Sequence, residues 1–366
     1  MPTPLPPPLA PQGWTPPPKP GLVPLRPMTL GTILGASFQV MRRNPRTTLV
    51  PGLIVAVLLA LAVSLGLLAV VGAASRISTA ASQDVGAVGA GTVALAILVA
   101  LAGGALGTVA TALLQAIIVT EVARGTVGER LTLGQAWTAA KGRFGAVIGY
   151  TALLVLTVTV ALLVFYAIII GLTFAATAGT VSTSGAPNPA AIGGIIALTF
   201  GVTIIGGLGG LALWLWLSTK LAFVPAAIVL EKLPIRKAIA RSWTLSRGRF
   251  WRTLGILVLV QVMISIAEQI VTTPLSFIAG LGGSLLDPTG ATSGDPFGTQ
   301  TVVLIIAVYA VVAGVSAIGM VILAATSSLM YLDLRMRTEG LDLELSRYVE
   351  ARQTGAAVPD PYVRSA

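Results

Sequence analysis

The chain has no cysteine and no histidine. The first absence excludes disulfides, thiol catalysis and thiolate metal sites; the second removes the commonest general base and the commonest metal ligand. Charge is scarce as well, at 10% of residues against 55% hydrophobic ones. That balance excludes an ordinary soluble domain, so the 366 residues are to be counted in membrane passes. No nucleophile–base pair, zinc spacing or Gly-Lys-Ser/Thr phosphate loop occurs, so the chain is expected to be non-enzymatic and to need no cofactor or metal.

What the sequence does have is long uncharged runs and a biased charge map. Residues 1–27 hold 12 of the 23 prolines and predict an extended, disordered tail, distinct from a signal peptide. The apolar runs beyond it predict an all-α bundle with six spans, at about 48–73, 94–119, 146–175, 192–218, 253–283 and 300–330. With these spans, all of the 23 lysines and arginines except Arg76 fall on one side. The positive-inside rule then places both termini in the cytoplasm of a plasma membrane. The opposite loops are short and carry Asp84, Asp287 and Asp295; the last two, in "LDPTGATSGDPFG", are too few oxygen ligands for calcium.

Three stretches that lead into the odd-numbered spans repeat. "MTLGTILGASFQVMRRNP", "LTLGQAWTAAKGRFG" and "LPIRKAIARSWTLSRGRFWRT" start at Thr29, Thr132 and Pro234, which are 103 and 102 residues apart. Each opens on a helix-start residue, shows helical apolar spacing and ends in basic residues beside a breaker. The chain thus reads as three units of surface-lying helix plus membrane hairpin, at about 28–125, 131–218 and 233–332, in one orientation. In the third copy Arg236, Lys237, Arg241 and Arg247 fall on the arc opposite the apolar face.

The basic set of these helices, Arg42, Arg43, Arg46, Lys141, Arg143, Arg236, Lys237, Arg241, Arg247, Arg249 and Arg252, is expected to anchor the chain on anionic lipid headgroups. Arginines interleaved with Trp243, Phe250 and Trp251 also resemble a nucleic-acid grip. Their position between two spans excludes nucleic acid and makes membrane lipid the expected partner, beside a possible membrane protein.

In the fifth span Gln261, Ser265, Glu268, Gln269 and Thr272 share one helical stripe. Read functionally, a carboxyl group at this depth faces a bundle interior or water cavity and serves a solute or lipid transporter. Read structurally, Glu268 is hydrogen-bonded to neighbours or sits near the far interface. Gln115 in the second span is an interhelical hydrogen-bond candidate. The glycine pairs Gly103/Gly107 and Gly206/Gly210 have the spacing of close helix approach.

The exit from the sixth span reads Tyr331-x-Asp333-Leu334-Arg335-x-Arg337-x-Glu339-Gly340-x-Asp342-Leu343-Glu344-Leu345. Asp333 with Arg337 and Arg335 with Glu339 form i, i+4 pairs, Gly340 is a cap, and 341–366 reads as an amphipathic turn pattern and tail. This segment either stands solvated or docks beneath the bundle. With "MTLGTILGASFQVMRRNP" and "AIARSWTLSRGRFWRTLG", the exit motif resembles the glycerophosphoryl diester phosphodiesterase membrane-domain family over about residues 28–350. The Pro-rich tail is similar to that of members from high-GC Gram-positive bacteria. The resemblance implies membrane placement. It implies no phosphodiesterase activity, since a histidine-free chain lacks the residues of the separate catalytic barrel that some members carry.

Overall fold

The computed structural model describes residues 21–23, 26–79, 85–178, 189–286, 299–354 and 359–363. Residues 1–20, Asp84 and the loop with Asp287 and Asp295 lie outside them. The only regular structure among the described residues is helix, with no strand. Six helices are long and apolar enough to cross a membrane: α2 (Pro45–Thr79), α3 (Val85–Thr126), α5 (Phe144–Ala178), α6 (Pro189–Leu221), α9 (Phe250–Leu286) and α10 (Thr299–Glu339). Each overruns the span expected at its position. Backbone hydrogen bonds are satisfied within a helix regardless of the surrounding medium, so helices continue past the apolar run that identifies them.

Before each odd-numbered span lies a short helix: α1 (Leu30–Arg43), α4 (Leu133–Lys141) and α8 (Ile235–Leu245). The three repeats are therefore present, and α4 is the shortest of the set. Their starts follow the sequence signals. Thr29 accepts a hydrogen bond from the Thr32 amide, Thr132 forms a reciprocal capping box with Gln135, and Pro234 occupies the N-cap without a side-chain bond. Each buries its narrow face of small and apolar residues: Ile33, Ala36, Ser37 and Val40 in α1, Ala136 and Ala140 in α4, Ala238, Ser242 and Leu245 in α8.

The spans close a ring in the order α2, α3, α5, α6, α9, α10, with α10 also against α3. Glycines set the tight seams. A Cβ on Gly103 would lie 2.8 Å from Ala62 Cβ, and one on Gly107 2.5 Å from Leu59 Cδ2, so this pair does bring α2 and α3 together. Gly206 meets the Phe165 ring in the same way, but Gly210 faces open space. Gly319 seats Ile264 between α10 and α9, a contact that pair-spacing did not mark.

Three features differ from the sequence reading. The connection after α6 contains a further helix, α7 (Val224–Leu230), which is buried against α3, α5 and α8. At seven residues it is too short for a span, so apolar run length gives no sign of it. The end of the Pro-rich tail is docked, not free: Leu22 and Val23 are buried and the Leu22 amide donates to Gly125 O at 2.8 Å. The C-terminal segment docks as well. Helix α11 (Leu341–Gln353) follows Gly340, whose φ of +69° fits glycine, and buries Leu341 and Leu345.

Candidate functional site

Starting from the exit motif, the helical period splits its residues into two stripes. Tyr331, Arg335 and Glu339 recur at i, i+4 and i+8 on one face of α10, and Asp333 with Arg337 lie on the opposite one. Each stripe meets a charge supplied from far away in the chain.

On the first face Glu231, whose side chain is 1% exposed, accepts from Arg241 Nε and Nη2 at 3.1 Å and from the Tyr331 hydroxyl. Arg335 Nε lies 3.6 Å from Glu231 and 3.0 Å from Glu339, while its Nη1 donates to Tyr362 O at 3.0 Å. Arg241 also donates to Glu339. Two arginines and two glutamates thus neutralise one another in a closed set joining α7, α8 and α10. Burial alone would lower the Arg241 guanidinium, but hydrogen bonds and charge from Glu339 and Glu231 outweigh it and hold the group above its usual value.

On the second face Asp333, 3% exposed, accepts from Arg252 Nη1 at 2.8 Å and from Arg337 Nε at 2.9 and 3.0 Å. The Met28 amide donates to the same carboxylate at 2.6 Å, and Arg252 Nη2 and Arg337 Nη2 both donate to Met28 O. The backbone of a single residue before α1 is clasped by α9 and α10.

A third set ties down the C-terminus. Arg124 pairs with Asp360 at 2.7 Å, Arg352 with Glu129, and the buried Tyr362 hydroxyl bonds Thr126 and Ala123 O. Burial raises the Tyr362 hydroxyl above its ordinary range, so it stays neutral as a donor. The exit motif is thus a lock at the basic end of the bundle, and it belongs to the docked alternative.

This lock corrects the headgroup set. Arg241 is turned inward by Glu231 and Glu339, Arg252 is held by Asp333 and Met28 O, and Arg43 donates to Gly125 O and Gly128 O at 2.9 and 3.0 Å. Arg42, Arg46, Lys141, Arg236, Lys237 and Arg247 are exposed, Arg143 and Arg249 half-buried, and none forms an ion pair among the described residues.

The stripe of α9 divides likewise. Glu268 accepts from Ser316 Oγ at 2.9 Å, Thr272 donates to the Glu268 carbonyl at 2.6 Å, and Thr273 donates to the exposed Gln269. Ser265 is half-buried. Of the five residues only Gln261 lines the central cavity, a space of about 460 Å³ between α3, α5, α6, α7, α9 and α10. Gln115 lines it too, so the second-span glutamine faces the interior. Glu268 is thus paired with a serine across α9–α10, the kind of neighbour contact that its structural reading expects. Among the described residues no cluster of acids has the arrangement of a metal site.

No significant match occurs among curated proteins or solved structures. Residues 189–354 of this integral, multi-pass membrane protein, running from the start of α6 past the end of α11 and holding both faces of the lock, match the family model for the membrane domain of glycerophosphoryl diester phosphodiesterase, the family that the exit motif resembles.

Proposed function

We propose that this protein is a non-enzymatic organiser or accessory protein of a bacterial plasma membrane, with both termini in the cytoplasm and its basic end resting on anionic lipid. One observation carries the reading. Exposed cations with no acidic partner among the described residues (Arg42, Arg46, Lys141, Arg236, Lys237, Arg247) project from or beside all three short helices, while the buried Glu231 and Asp333 at that end are taken by other arginines. Near an anionic leaflet each such charge contributes about 1 kcal/mol.

The test is the lipid composition around the protein extracted in native polymer discs. Replacing the six cations by glutamine is expected to reduce enrichment of phosphatidylglycerol over zwitterionic lipid severalfold, with the wild-type enrichment weakening at high salt. Unchanged enrichment would sink the reading. Orientation is checked separately in this cysteine-free chain. Cysteine at Lys237 is expected to react with an impermeant maleimide only after permeabilisation, and cysteine at Thr292 in intact cells; the reverse would overturn the topology.

The rival reading, a transporter working through the Glu268 stripe, asks for Glu268 at a cavity. Glutamine at 268 keeps a carbonyl to accept from Ser316, so Glu268→Gln is expected to shift stability by less than about 1 kcal/mol, the usual scale of interhelical hydrogen bonds in membranes. A solute or proton flux in reconstituted vesicles that Glu268→Gln abolishes would favour the transporter.

A further inference from the structure

Two of the cations that the lock leaves without a carboxylate, Lys220 and Arg249, are not fully exposed. Lys220, in the last turn of α6, is only 9% exposed, and among the described residues its ammonium has no ion pair or hydrogen bond. It lies 5.4 Å from the Trp243 ring centroid and 5.6 Å from that of Phe250. Arg249, next in the chain to Phe250, has an Nη1 with no solvent contact and no hydrogen-bond acceptor. Trp216 packs edge-on against Trp243 at 5.3 Å, and Phe250 against Trp251 at 5.5 Å. Lys220, buried beside two rings, and the solvent-free Nη1 of half-buried Arg249 have no protein anion as partner among the described residues, which is costly for a desolvated cationic group. A phosphate oxygen supplies the acceptor both lack.

The same seam leads into the central cavity. Ser218 and Thr219, immediately before Lys220, line it from α6; Leu254 and Leu257, one and two turns beyond Phe250, line it from α9. Its volume of about 460 Å³ falls within the range of small-molecule sites, and its walls are apolar apart from a few hydroxyls and two amides. These wall residues belong to membrane-crossing segments, where the surrounding medium is lipid.

We propose that the seam of α6, α8 and α9 binds one anionic phospholipid, its phosphate held by Lys220 and Arg249 and one acyl chain lodged in the cavity. The site rests on the reading that the basic end meets anionic lipid and makes it specific. Surface cations such as Arg236 and Lys237 gather lipid collectively, whereas Lys220 and Arg249 hold a single molecule. The aromatic rings position the ammonium and shield it, which strengthens its attraction to phosphate.

Native mass spectrometry of the full chain in mild detergent tests the site, with dioleoylphosphatidylglycerol, dioleoylglycerol or inorganic phosphate added. The wild type is expected to retain one phosphatidylglycerol, and neither dioleoylglycerol nor inorganic phosphate should replace it. Lys220→Gln with Arg249→Gln should weaken retention at least about tenfold, the scale of a lost charge-assisted contact. Lys220→Arg should keep it, a dependence on charge that a purely structural role would not show. Val258→Trp, which fills the cavity, should weaken retention while leaving the cations in place. Wild-type retention in the double glutamine variant overturns the site, as does displacement of the lipid by inorganic phosphate. Arg236→Gln with Lys237→Gln separates the two readings. It should lower bulk lipid enrichment and leave the single retained lipid; loss of enrichment failing to appear there counts against the surface reading alone.

Discussion

Glu231→Ala is expected to destabilise the folded bundle by about 3–5 kcal/mol, the cost of breaking a buried ion pair by removing one partner. The carboxylate is 1% exposed and collects Arg241 from α8 and both Arg335 and Tyr331 from α10. Its removal leaves the Arg335 side chain, 3% exposed, with Glu339 as its one carboxylate, and Arg241 must share that same group. Glu339 is 23% exposed and cannot neutralise two guanidiniums. The Tyr331 hydroxyl, fully buried, loses its acceptor at the same time. Glu231→Gln retains one carbonyl oxygen for Tyr331 and should fall between alanine and wild type. Unfolding in mixed micelles, followed by circular dichroism, measures the difference. An alanine variant within 1 kcal/mol of wild type would show that the set contributes little to stability.

Why the sequence did not reveal Glu231 is a matter of distance along the chain. Its partners lie 10 residues away at Arg241 and 100 away at Tyr331, and Arg241 reaches Glu339 across 98. Helical spacing exposes only pairs within one helix, which is how Arg335 with Glu339 and Asp333 with Arg337 were readable in advance. A lone acid among eight cations in one connection was the available signal. It marks a charge that must be neutralised, without saying by which cation.

The six spans were readable because an apolar run longer than a bilayer is thick has few alternatives. The three short helices were readable because caps, apolar spacing and a breaker agree at each. Arg241 was misplaced because a helical wheel assigns an arc and cannot know that Glu231 and Glu339 approach it. In the sequence Lys220 is one of eight cations between two spans, with nothing to mark it as buried. Its burial follows from α7, whose short apolar run folds the connection back under the bundle and keeps α8 against the end of α6. Ser242 shows the outcome, donating to Lys220 O at 2.6 Å while it accepts from the Phe223 amide at 3.3 Å.

Asp333→Ala should cost a comparable amount, about 3–5 kcal/mol, but with a different local signature. Asp333 is the one carboxylate between Arg252 and Arg337, and it also takes the Met28 amide. Alanine leaves two guanidiniums converging on Met28 O with nothing to offset their mutual repulsion. The start of α1 should then loosen, since Met28, 1% exposed, is the point at which the chain is clasped before α1 begins. Hydrogen exchange at the Met28 amide is expected to rise with the loss of stability. Asp333→Asn separates the two effects. Its amide oxygen can still accept from the Met28 amide, but it carries no charge for the arginines. The asparagine variant should therefore lose stability through the ion pairs while keeping protection at Met28, and alanine should lose both. Equal exchange in the two variants would mean that the arginines on Met28 O, and not the amide bond to Asp333, hold the N-terminal segment in place.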